Sequence, residues 1–114
     1  MNKPLAFDFS YIDAMAAGDQ MMRATLLETL LSELPVHYLD LQQAVASGET
    51  ARIFQASHHL KSTLVFLGHE EAIRLNREIE ALAREEKSLD LIQRQWEDLS
   101  QLLDKIIAVL PSLV

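Results

Sequence analysis

Two histidines stand side by side in SHHLKSTLVFLGH, residues 57–69, inside a stretch whose apolar spacing is helical. Neighbours on a helix point about 100° apart, so His58 and His59 cannot play the same role. Ile53, Ala56, Leu60, Leu64 and Leu67 share one face, which marks it as the core face. His58 lies roughly 160° from Leu60 and points outward, whereas His59 lies about 100° away and is expected to border a helix interface. An outward imidazole is partly unprotonated near neutral pH and can attack phosphorus through a ring nitrogen. The phosphoramidate so formed is itself a reactive phosphoryl donor.

The neighbours of His58 extend that chemistry. Phe54, His58, Lys61 and Val65 are spaced four, three and four, a second stripe on the outer side. Lys61, one turn on, could neutralise phosphoryl oxygens as a compact point charge, and small Ser62 leaves room for an approaching partner loop. Apolar groups around a polar centre read as a docking patch. The plainer reading is that a leading helix covers Phe54 and Val65, leaving His58 an ordinary surface histidine. If the chain reverses at Gly68–His69, Glu80 falls level with His58, with Arg77 and Arg84 about a turn to either side. A carboxylate there would accept Nδ1–H and free Nε2 for attack; otherwise Glu80 is a solvated helix residue.

The rest of a phosphotransfer site is missing. There is no Gly-rich loop for ATP and no clear acidic cluster for Mg²⁺. The chain would bind no cofactor and would act as a phosphocarrier without kinase activity of its own. No cysteine is present, so thiolate metal sites and cysteine nucleophiles are excluded. His37 and His69 make no metal-ligand spacing with the 58–59 pair, and read as a helix histidine and a helix-start residue. A formal charge of −7, from 17 acids and 10 bases, would repel nucleic-acid phosphate. No uncharged run approaches the roughly 20 residues of a membrane span, and MNKPLAFDFS lacks the features of a secretory signal. A cytoplasmic setting fits.

The elements that must position these groups are all helical. FDFSYIDAMAAG reads as a short leading helix capped by Asp8 or Ser10 and ending near Gly18. A long segment over 19–46 carries the seam Ala24, Leu27, Leu31, Leu34, Tyr38, Leu41 and Val45, with a kink or break expected before Pro35. A third helix starts at Glu49 or Thr50 and halts at Gly68. A fourth starts near His69 and carries Ala72, Leu75, Ile79 and Leu82 on one face. A fifth, capped by Ser88, buries Ile92, Trp96, Leu99, Leu103, Ile106 and Leu110 before Pro111. One domain over residues 1–114 follows, an antiparallel up-down four-helix bundle with a short extra N-terminal helix.

The stretch FQASHHLKSTLVFLGHEEAIRLNREIEALAREE resembles the histidine-containing phosphotransfer (HPt) domain of multistep two-component phosphorelays. That family places an aliphatic residue and Lys two and three residues after its acceptor His, then usually Gly, with another Gly ten residues after the His. His58, Leu60, Lys61 and Gly68 match in that register; starting from His59 would put Ser62 in the lysine position. LLETLLSELPVHYLDLQQAVASGE and IEALARE resemble the flanking helices, so nearly the whole chain is covered. Ser62 departs from the usual glycine.

The resemblance implies transfer from a receiver-domain aspartyl phosphate to His58 and onward to another receiver aspartate. The partner, a response regulator or hybrid sensor histidine kinase, would supply Mg²⁺, and docking would bury on the order of 1,000 Å². It implies a monomer in which Phe54, Ser62, Val65, Arg77 and Arg84 serve docking and Gly68 is structural. The alternative is a helical adaptor that binds receiver or kinase domains without being phosphorylated. A histidine-kinase dimerisation domain, whose motif places Pro after the His, fits Leu60 and Lys61 poorly.

Overall fold

The computed structural model describes residues 5–113. The first four residues, part of the stretch read as lacking a secretory signal, and the last residue lie outside the described residues. Five α-helices follow one another: α1 Ser10–Ala16, α2 Gln20–Ser47, α3 Thr50–Leu67, α4 Glu70–Arg84 and α5 Leu89–Val109, closed by a 3₁₀ turn at Leu110–Leu113. No strand occurs among the described residues, and no helix there is long and apolar enough to cross a membrane. Each long helix packs against its successor, α5 also packs against α2, and α1 lies against α2 and α3.

Local chemistry sets the boundaries. Asp19 caps α2 by accepting from the backbone N–H groups of Met21 and Met22, at 3.0 and 3.1 Å. Asp8 does the equivalent for α1, accepting from Ser10 N–H at 3.0 Å, although Phe9 occupies the cap position. Helix α1 ends next to Gly18 as expected: Ala17 caps it at φ +49° and Gly18 follows at φ +86°. Ser88 precedes α5 without making a capping bond.

Pro35 does not divide α2, which runs unbroken through it. A mid-helix proline costs about 3 kcal/mol, but Leu27, Leu30 and Leu34 on one side and Leu41, Ala44 and Val45 on the other are all buried. Each large side chain contributes roughly 1.5–3 kcal/mol, so packing on both flanks outweighs the lost bond.

The core is the predicted one in α3 and α5: every residue named for those two seams is buried. Two expectations fail. Ala24 is exposed, because the first half of α2 turns Leu27 and Leu30 toward Ile12 of α1, forming a separate small cluster. His59 is exposed as well. Ala56 and Thr63, one turn to either side of it, are buried, so His59 lies at the edge of the core face, where a polar ring keeps to water.

The α3–α4 turn is where the N-terminal segment is tied down. Asp8 N–H donates to the Gly68 carbonyl at 3.0 Å, and Phe7 sets its ring against His69 at 5.7 Å. Gly68 has φ +69°, and a Cβ there would lie 1.9 Å from the Asp8 carbonyl oxygen. Gly48 shares the conformation, φ +71°, but its Cβ would meet only Leu89 at 3.5 Å. Gly48→Ala is therefore expected to cost about 1 kcal/mol, the left-handed penalty alone. Gly68→Ala should cost at least about 2 kcal/mol, the excess measuring the strap contact. Urea denaturation of both variants separates the two terms, and equal losses would refute the contact.

His69 caps α4, its Nδ1 accepting from Ala72 N–H at 3.2 Å. Burial pushes its pKa down, against the opposing pull of the Glu71 carboxylate and a backbone hydrogen bond. The native state therefore favours the neutral ring, while the unfolded chain takes up the proton near pH 6.5. The contribution is complete above that pH and is lost as pH falls through it toward the native value. His69→Asn, which keeps a capping acceptor without titrating, should lose less stability than the parent chain between pH 7.5 and pH 5.5 in thermal melts.

Candidate functional site

Helices α3 and α4 run antiparallel from the two-residue connection at Gly68–His69. Phe54 meets Arg84 near one end, and His58 meets Glu80 a turn closer to the connection. His58 keeps 60% of its side chain exposed, while Glu80 keeps 7%. Nδ1 of His58 lies 3.3 Å from Oε2 of Glu80, and the guanidinium of Arg84 donates to Oε1 of the same carboxylate at 3.2 Å. Glu80 is thus buried and paired through both oxygens rather than solvated. The Phe54 ring stacks within 17° of the imidazole plane, centroids 6.0 Å apart, and the Arg84 guanidinium lies over the Phe54 ring, 5.5 Å from its centroid. A carboxylate at Nδ1 favours the tautomer protonated there, which leaves the Nε2 lone pair available.

The sequence-selected groups gather unequally. Lys61, Ser62 and Val65 line one groove with His58, which Phe66 of the same helix and Tyr11 of α1 also line. Lys61 and Ser62 are exposed, and Phe54 and Val65 are half-buried, so α1 borders the patch without covering it. Lys61 makes no ion pair among the described residues. Arg77 is exposed on the far side of Lys61, across a small cleft that Val65, Ile73 and Glu80 also line. Among the described residues, no group of three histidine or acidic side chains is placed to hold a metal ion.

Four residues of this region escaped the sequence reading. Tyr11 and Phe66 make an edge-to-face pair at 6.2 Å that forms the groove wall. Ser57 and Asn76, 0% and 2% exposed, form a closed polar pair between α3 and α4. Asn76 Oδ1 accepts from the Ser57 hydroxyl at 2.8 Å, and Asn76 Nδ2 donates to the Ser57 carbonyl at 3.0 Å. The hydroxyl also reaches the Asn76 carbonyl at 3.1 Å. Leaving any of these groups unpaired in an apolar seam would cost about 1–3 kcal/mol. The available signal was Asn76 falling at helical spacing between Ala72 and Ile79, a polar residue on a core face.

The hairpin of α3 and α4 thus presents an exposed imidazole with a lysine and a small serine beside it. The family model for the Hpt domain matches residues 25–109. The HPT domain of a sensor hybrid histidine kinase from Shewanella superimposes with a TM-score of 0.77 at 19% identity, covering 93% of this chain and 91% of that one. No curated protein sequence matches significantly. The chain belongs to the Hpt domain family, the phosphotransfer modules of two-component phosphorelays.

Replacing Glu80 by Leu keeps the volume and removes the acceptor. The ¹⁵N shifts of His58 in the parent chain should then show Nδ1–H as the major tautomer, and Glu80→Leu should shift the balance toward Nε2–H. Identical shifts in the two proteins would show that the carboxylate does not orient the ring.

Proposed function

We propose that His58 is the phosphoacceptor of a phosphorelay intermediate, taking a phosphoryl group from a receiver-domain aspartyl phosphate and passing it to another receiver aspartate. The observation that carries this reading is an exposed imidazole with a buried carboxylate at Nδ1, on the histidine that also fits the family motif. Nε2 attacks phosphorus, the bond from phosphorus to the aspartyl oxygen breaks, and the carboxylate departs with the electron pair. Nδ1 keeps its proton, so the phosphorylated ring is cationic, and Glu80 faces the charge as it develops. Lys61 lies on the same groove to offset the negative phosphoryl oxygens. Transfer onward is the reverse attack, by an acceptor carboxylate on the phosphorus at Nε2.

Mg²⁺ belongs to the partner receiver, where it offsets charge on the phosphoryl group during transfer. Val65 and the groove wall, with Phe54 in the next hollow along α3, give a receiver apolar contact, Ser62 gives it clearance, and Arg77 and Arg84 offer rim charges. The scaffold is an antiparallel up-down four-helix bundle of α2 to α5 with α1 as an extra short helix. Connections of two, two and four residues, at 48–49, 68–69 and 85–88, support that arrangement, as does the contact of α5 with α2. The module works as a monomer that meets its partners transiently.

Incubation with a phosphorylated receiver should give label on the chain that is acid-labile and alkali-stable, and His58→Gln should abolish it. Lys61→Ala should slow transfer about ten- to a hundredfold, the effect of removing one charge-stabilising group. Label retained by His58→Gln would overturn the assignment, and an unlabelled parent chain would favour the adaptor reading.

A further inference from the structure

Ser57 immediately precedes His58, and Asn76 lies one helical turn before Glu80 on the same helix. Among the described residues, the side-chain hydrogen bonds that join α3 to α4 are those of this pair and the His58–Glu80 contact. From that placement we infer that Ser57 and Asn76 are positioning residues for phosphotransfer: their buried hydrogen-bond clamp sets the axial register that holds Glu80 against Nδ1 of His58. The inference rests on His58 being the acceptor.

The physical reason is the difference between apolar and polar packing. The rest of the α3–α4 seam is built from side chains such as Leu60, Leu64, Leu75 and Ile79, and apolar burial is non-directional. Shifting a helix by one residue moves it about 1.5 Å and turns its side chains about 100°. A displacement well short of that would take a 3.3 Å contact out of hydrogen-bond range. The apolar seam resists such a shift weakly, whereas the clamp resists it strongly. Asn76 uses its carbonyl and its amide on opposite partners of one residue, Ser57, so only one rotamer and one register satisfy both. Neither residue lines the groove that holds His58; Asn76 borders only the adjoining cleft, with its side-chain oxygen and nitrogen both engaged by Ser57.

The test is a double variant, Ser57→Ala with Asn76→Leu, which replaces the clamp by apolar packing. With folding verified by far-UV circular dichroism, the ¹⁵N shifts of His58 should move toward those of Glu80→Leu. Transfer from a phosphorylated receiver should slow about tenfold, with the affinity for that receiver unchanged. A core variant in α5, Ile92→Val, controls for simple loss of stability and should leave both readouts at parent values. A folded double variant with parent tautomer balance and parent transfer rate would overturn the inference. If the double variant does not fold, Ser57→Ala alone decides: a partial tautomer shift supports the clamp, and no shift refutes it. Should His58→Gln retain its label, the acceptor reading fails, while the tautomer comparison still judges the clamp.

Discussion

Oε2 of Glu80 reaches Nδ1 of His58 across the seam between α3 and α4, so a site assembled from two helices depends on their meeting in one register. Hydrophobic burial drives the helices together without choosing among nearby registers. What chooses is directional. The Gly68–His69 connection is too short to allow slack, and the Asp8 backbone pressed on Gly68 fixes the turn from outside. Farther along, Ser57 and Asn76 close a polar pair that only one alignment satisfies. The exposed imidazole inherits its geometry from these restraints.

Electrostatics explain why Glu80 tolerates burial. A carboxylate removed from water needs partners for both oxygens, or the desolvation cost goes unanswered. His58 and Arg84 supply them, and both of these partners remain largely exposed, at 60% and 63% of their side chains. The charge is therefore held at the protein's edge rather than in its centre, where water still screens it. That arrangement leaves the imidazole accessible while its inner nitrogen is engaged. Lys61 stands outside the pair, free of any ion pair among the described residues, on a chain whose formal charge is −7.

Helix number, order and most of the core were legible because the period of 3.6 repeats without competition from β-branched runs or turn-rich segments. The outward direction of His58 followed from angle alone, and so did its level with Glu80 once Gly68 was read as a reversal. What escaped depended on neighbours that a single helix does not reveal. Pro35 breaks an isolated helix, but leucines on both flanks hold α2 together. Ala24 belongs to the long seam by spacing, yet α1 captures that end of α2 through Leu27 and Leu30. His59 sits at the flank of a core face, where the packing of neighbouring helices decides exposure. The Gly68 requirement for a missing Cβ was invisible, since the atom it would strike belongs to residue 8, sixty residues away.

At 19% identity the Shewanella domain shares the fold, with a TM-score of 0.77, so helical pattern rather than residue identity carries the architecture. Fold alone says nothing of chemistry, and in this chain the two are physically separable. The contact that joins exposed His58 to buried Glu80 adds little net stability once the carboxylate's desolvation is counted, small beside the leucines beneath it. A glutamine at position 58 would pack no worse against Phe54 and would leave every core contact in place. The bundle has no stability reason to set an imidazole in a groove between Lys61 and Tyr11. What the fold provides there is an exposed ring with a buried carboxylate behind it, the geometry on which the proposed phosphoacceptor role rests.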